Sequence, residues 1–284
     1  MLREIDGHYV AAEIRFLRQV SKGTILVVEG QNDAKVFKRF IDTVSCELEI
    51  AFGKRNVCEA LDLLEDEGFP GVVGVIDSDF DRLTGTSWGL KNLCVTDVHD
   101  LDLMIFLSPA LERYLEEYGD VARIKERFEG VAAVRMTIIG TCLPIACCRL
   151  ASERRKLRLR FSGLKHEELV CEETLVMDRD ALIAAVVARS GSRCTQVTLT
   201  QYMAAEMSRN HDPHQLTSGH DAAAVLGIAL RKILGDRRDV HTWATEVEAG
   251  LRLAFDWNAL TGTGLYGCPQ AWERDNAPYR IFEH

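Results

Sequence analysis

The apolar positions of the chain fall into two regimes. Residues 24–28 form a short, nearly pure apolar run rich in β-branched side chains, the pattern of a strand covered on both faces. A second such run spans 71–76 and a shorter one 92–96, while 47–52 alternates as a half-covered strand. Helical spacing fills the intervals. It is carried by Ile14, Leu17 and Val20 before the first strand, by Ala34, Phe37, Phe40 and Ile41 within 33–43, and by Ala60, Leu61 and Leu64 within 57–64. The stretch 82–91, with Gly85 and Gly89, reads as a loop. Strand and helix alternating at this spacing predict an α/β fold built on a parallel, Rossmann-like sheet.

From about Pro109 onward helical patterns dominate, over 111–127, 131–150, 180–189, 200–210, 221–234 and 243–253. One interruption, 156–161, alternates strictly. Leu157, Leu159 and Phe161 share one face and Lys156, Arg158 and Arg160 the other, which predicts a short basic strand. The resulting division is an α/β domain with an N-terminal helix over 1–108 and a mostly α-helical domain over 109–284. Neither an internal repeat nor a low-complexity tract is present.

Composition adds constraints. With 284 residues, 47% hydrophobic and 27% charged, the chain is no disordered tail, collagen-like strand or disulfide miniprotein. Its nine cysteines are scattered without a C-x-x-C, which predicts free thiols in a reducing cytoplasm rather than zinc ligands. The first residues carry charges where a secretory signal needs an apolar core. The apolar segment 131–148 is barely long enough to span a bilayer and contains Arg135, Gly140 and Pro144, so a buried helix and no membrane partner are expected.

Candidate chemistry collects at the strand ends, where open parallel sheets bind their ligands. Glu29 ends the first strand in Val28-Glu29-Gly30-Gln31-Asn32-Asp33. The third strand runs into Asp77-Ser78-Asp79-Phe80-Asp81, and the fourth into Thr96-Asp97-Val98-His99-Asp100-Leu101-Asp102. On an extended backbone Asp77 and Asp79 point to one side, roughly 7 Å apart at Cα. Such acids repel one another by about 4 kcal/mol per pair at 4 Å and an effective dielectric near 20. A hard cation such as Mg²⁺ relieves that repulsion, taking one or two carboxylates plus water and substrate phosphate. Asp in a loop after a strand also serves as a turn former, and Asp33 fits a helix N-terminal residue.

These residues resemble the Toprim domain, whose signature is a Glu after the first strand and a D-x-D after a later one, here Glu29 and Asp77/Asp79. The three acidic segments look more narrowly like Toprim-like nucleases found beside or fused to ABC-type ATPases, the group that includes the Toprim effector of the PARIS anti-phage system. Gly219-His220-Asp221 is similar to a Gly-His-Asp motif of that group. The resemblance is strong over about residues 24–108 and follows only the outline of the rest. It implies a Toprim fold and metal-dependent cleavage of nucleic-acid phosphodiesters, tRNA or DNA, by a toxic effector under the control of a partner ATPase. A homodimer is in keeping with the family.

By the same resemblance Asp77 and Asp79 bind Mg²⁺, or Mn²⁺ in its place. Glu29 holds a metal or handles a proton, and Asp33, Asp81 and Asp102 extend the set. Asp102 stands where relatives often have Glu. His99 and His220 are candidate proton carriers, and Lys156, Arg158 and Arg160 a candidate face for the nucleic-acid backbone.

Two other readings compete. An apolar strand ending in D-x-D also occurs in haloacid-dehalogenase-like phosphohydrolases, which the Glu29-Gly30 strand fits poorly. A catalytically idle Toprim scaffold that binds the ATPase is the other. The chain contains no G-x-x-x-x-G-K-[ST], so ATP hydrolysis belongs to another protein. The net charge of −9 does not decide against nucleic acid. Residues 1–108 hold 11 Lys+Arg and 19 Asp+Glu, and eight of those acids lie in the three strand-end segments.

Overall fold

The computed structural model describes residues 5–191 and 194–283, so the charged start of the chain at 1–4 lies outside the described residues. The chain forms two compact units. The first runs to Ser78, resumes over Thr86–Asp97 and is completed from Trp257 onward; the second comprises Asp79–Gly85 and Val98–Asp256. The boundary therefore differs from the expected division at 108, because the C-terminal segment returns to the sheet.

In the first unit, β1 (Thr24–Val28), β2 (Cys46–Ile50), β3 (Val72–Ile76) and β4 (Leu93–Val95) form a parallel sheet in the order β2-β1-β3-β4. Leu26 stands opposite Leu48 on one side and Val73 on the other. The two central strands are buried at every position, as their unbroken apolar runs require. Helices α1 (Gly7–Val20) and α3 (Lys54–Asp66) contribute Val10, Ala11, Ile14, Ala60, Leu61 and Leu64 to a core with Ile25, Val27, Val72 and Ile76. Gly74 permits this approach, since a Cβ there would lie 2.6 Å from Leu61 and 2.8 Å from Val57. Between β1 and β2 lies the short α2 (Gln31–Phe37).

The returning segment joins this unit through an aromatic group of Phe40, Trp257, Tyr266 and Phe282. Its helix Gly264–Asp275 is tied to β4 by a disulfide between Cys94 and Cys268. That corrects the expectation of free thiols throughout. The two cysteines are 174 residues apart in sequence, so no local spacing could pair them. The other seven are free, six of them buried.

The second unit is helical. The predicted helix 111–127 is two, Ala110–Tyr118 and Val121–Phe128, because Gly119 closes the first and the Asp120 side chain caps the second through the Arg123 amide. Val131–Arg154 is long and apolar enough to cross a membrane by composition alone. Within the unit it buries Ile138, Ile139, Cys142, Ile145, Cys148 and Leu150. The buried, alanine-rich helix Gly219–Lys232 begins against Leu101–Leu107, so close that a Cβ on Gly219 would lie 2.2 Å from the Leu103 nitrogen.

The predicted basic strand is not formed. Lys156 and Arg158 take left-handed φ values of 50° and 55°, incompatible with a β ladder. The backbone instead spends its amides on side chains and a helix end. Leu157 donates to the Ser152 carbonyl, Leu159 to Ser152 Oγ and Arg160 to Ser190 Oγ. Apolar alternation sets which side chains turn inward, but without a neighbouring strand edge the backbone has no ladder to join.

Candidate active site

The sheet order reverses between β1 and β3: β2 lies beyond β1, and β4 beyond β3. The carboxyl ends of these two central strands therefore flank the position where open α/β sheets hold ligands. Glu29 leaves β1 there and Asp77 leaves β3. The Asp77 amide donates to Glu29 Oε1 at 2.8 Å, which brings the Glu29 carboxylate to the root of the Asp77 side chain. Both residues are half-buried.

The surrounding turns hold this pair. Asp33 accepts from the Gly30 amide at 2.8 Å, closing the turn from β1 into α2. The Gly53 amide donates to the Glu29 carbonyl at 2.9 Å. Ser78, fully buried, donates its amide to Thr96 Oγ1 at 2.8 Å, while the Thr96 amide reaches the Ile76 carbonyl at 3.0 Å. Asp97 accepts from the Gly264 amide at 2.7 Å, at the first residue of the helix Gly264–Asp275.

Lys54 is a functional candidate that the strand-end acids do not reveal. It is the first residue of α3, and its Nζ donates to the Ser78 carbonyl at 3.2 Å while lying 5.9 Å from the centre of the Trp88 ring. Its signal in the sequence is its place just after β2, where a cation is positioned as the acids are. Trp88, in the 82–91 loop, carries no such positional signal.

The remaining candidates belong to the second unit. Asp79 takes a left-handed φ of 46°, and its amide donates to the His99 carbonyl at 2.6 Å. The chain turns at Asp79, so the extended geometry expected for Asp77 and Asp79 does not hold. Asp81 opens the four-residue helix Asp81–Thr84. His99 is buried, with Nδ1 3.2 Å from the Gln215 carbonyl and its ring edge-on to Phe80. Asp100 caps Leu101–Leu107 through the Leu103 amide and also accepts from the Gly219 amide.

Asp102 is ion-paired with Arg252 at 2.9 Å. Burial raises its carboxyl to about 6, and the Arg252 charge only partly opposes that rise. In the Gly-His-Asp segment, Asp221 is wholly buried, 2.9 Å from both Arg149 and His166 Nε2. Burial pushes its carboxyl upward, but Arg149 and the two histidines His166 and His220 outweigh it, leaving the group below the usual range. His220 is half-exposed and bonded through Nδ1 to Glu248; that hydrogen bond raises its pKa above the ordinary histidine value.

Much of the basic stretch is neutralised locally. Arg149 serves Asp221, Arg154 and Arg155 both bind the buried Glu206, Lys156 pairs with Glu153, and Lys165 with Glu168. Arg158 and Arg160 are exposed, with no ion-pair partner among the described residues.

Glu29 and Asp77 offer hard carboxylate oxygens from adjacent strand ends, the donor chemistry that suits Mg²⁺. Among the described residues no group of three or more His, Cys, Asp or Glu side chains forms a metal cluster. Mg²⁺ does not require one, since it commonly takes one or two carboxylates and completes its octahedron with water and substrate phosphate. No family model matches the chain, and the search of curated proteins gives no match.

Proposed function

We propose that this chain is a Mg²⁺-dependent phosphodiesterase of the Toprim type that cleaves nucleic acid. The observation that carries the reading is the Glu29–Asp77 pair, two acids from adjacent strands joined by a hydrogen bond at the point where the sheet order reverses. The β2-β1-β3-β4 sheet and the acidic strand-end segments support the Toprim assignment. Glu29 and Asp77 would hold the metal. Mg²⁺ bound there would polarise the phosphate and lower the pKa of an attacking water.

The chain's own residues do the rest. The Asp77 amide orients Glu29, and the Gly53 amide holds the backbone behind it. Lys54 supplies a positive charge beside the acids for a phosphate oxygen. The resemblance extends the reading to a toxic effector of anti-phage defence released by a partner ABC-type ATPase. The haloacid-dehalogenase-like alternative leaves Glu29 without a task.

The test compares wild type with Glu29→Ala and Asp77→Asn on RNA and on DNA, with and without Mg²⁺, alone and with the neighbouring ATPase. Expected is Mg²⁺-dependent cleavage lost by about 100-fold or more in both variants, beyond the 10–100-fold typical of outer-shell changes. Hydrolysis of a small phosphate ester with none of nucleic acid overturns the nuclease reading. Inactivity even with the ATPase leaves the scaffold.

A further inference from the structure

Within the first unit, α3 and the loop that resumes at Thr86 border an open surface cavity of about 330 Å³. It is lined by Arg55, Cys58, Glu59, Asp62, Trp88 and Leu90. Trp88 is 37% exposed. Cys58 and Leu90 are the apolar members of the lining besides Trp88. Lys54 joins the two sites, since its Nζ reaches the Ser78 carbonyl next to Asp77 and also lies over the Trp88 indole.

We propose that this cavity takes an unpaired nucleobase flanking the scissile phosphate, so that the substrate is single-stranded or looped nucleic acid. The inference rests on the phosphodiesterase reading above and names its substrate class. Charge sets the orientation of the ligand. Asp62 and Glu59, the latter also accepting from the Gly7 amide, repel a phosphate from the cavity and offer acceptors to a base, while Lys54, bonded to the Ser78 carbonyl, attracts the phosphate on the side of the acidic pair. Carboxylates as acceptors favour bases with an exocyclic amino group, as when Glu or Asp accepts from cytosine N4. The indole provides the stacking surface that sequence-tolerant single-strand binders use. A base locked in a duplex cannot enter without being unstacked and unpaired.

The test uses the full chain in the presence of a chelator, so that binding is read without cleavage. Short labelled oligocytidine, oligouridine and a blunt duplex are titrated at low salt and followed by fluorescence anisotropy. Single-stranded oligocytidine binds more tightly than duplex and than oligouridine. Trp88→Ala weakens the oligocytidine complex by about 5- to 150-fold, the equivalent of 1–3 kcal/mol of stacking, while Trp88→Phe retains most of the affinity. Thermal unfolding of both variants verifies that they are folded.

Wild-type affinity in Trp88→Ala overturns the proposal, as does equal binding of oligocytidine and duplex or no binding of either. The parent reading fails separately. If wild type does not cleave with Mg²⁺ but binds single strands through Trp88, the nuclease falls and the base site stands.

Discussion

The Asp77 amide donates a 2.8 Å hydrogen bond to Glu29 Oε1, joining the ends of two strands whose residues lie 48 positions apart in sequence. The bond makes Glu29 both a charge and a structural acceptor, and substitution can separate the two roles. Glu29→Gln retains an oxygen for the Asp77 amide but removes the charge. It should abolish Mg²⁺-dependent cleavage as fully as Glu29→Ala while keeping near wild-type stability. Glu29→Ala should additionally lose about 0.5–1.5 kcal/mol, read by urea unfolding. Retained cleavage in Glu29→Gln removes Glu29 from the chemistry.

Asp102 makes stability depend on pH with an unusual sign. Its folded-state pKa of about 6 lies above the unfolded value near 3.9, so between these values the folded chain binds the extra proton. Stability contributed by this group is therefore present at low pH and declines as pH rises from about 4 to 6. The decline is about 3 kcal/mol at most, less for a side chain 28% exposed. The melting temperature of wild type relative to Asp102→Asn should fall as pH rises across this range. A constant difference excludes the effect.

Asp221 titrates in the opposite sense. Its lowered carboxyl pKa means that the stability it contributes is present at neutral pH and lost as pH falls through the folded value. Asp221→Ala leaves Arg149 and His166 without their buried carboxylate and should cost about 3–5 kcal/mol in denaturant unfolding. A change below about 1 kcal/mol contradicts the network.

Arg158 and Arg160 are the exposed remainder of the basic stretch. Replacing both by Glu should weaken nucleic-acid binding similarly across sequences. The slope of log affinity against log salt should fall by about one unit for each phosphate that the variant no longer neutralises. Stability should change by about 0.5 kcal/mol or less. Unchanged affinity at low salt shows that this segment does not meet the substrate.

The Cys94–Cys268 disulfide closes a long loop and restricts the unfolded chain. Reduction should lower stability by about 2–4 kcal/mol. Cys268→Ala should show the same loss and no further response to reductant. Equal melting temperatures for oxidised and reduced wild type rule out the bond's contribution.

Continuous apolar runs such as 24–28 and 71–76 can be read directly, because a strand buried on both faces admits hardly any polar residue. The acids at their ends are legible for the same reason, since a polar residue that interrupts such a run marks where the sheet meets solvent or ligand. The pairing of Glu29 with Asp77 requires the strand order, which depends on how α1 and α3 cover β1 and β3. Lys54 and Trp88 become visible only when the loops after β2 and β3 are placed around that order.

Alternation at 156–161 misleads because apolar periodicity records which side chains are inward, whereas a strand also needs a partner edge for its amides. The return of 257–284 to the sheet and the pairing of Cys94 with Cys268 depend on contacts between distant residues, which local spacing does not encode. By itself the sequence determined the α/β class, the central strands and the acids at their ends. Tertiary structure decided which acids meet and which are taken up by helix caps and arginines, because hydrogen-bond geometry is set by packing among elements far apart in the chain.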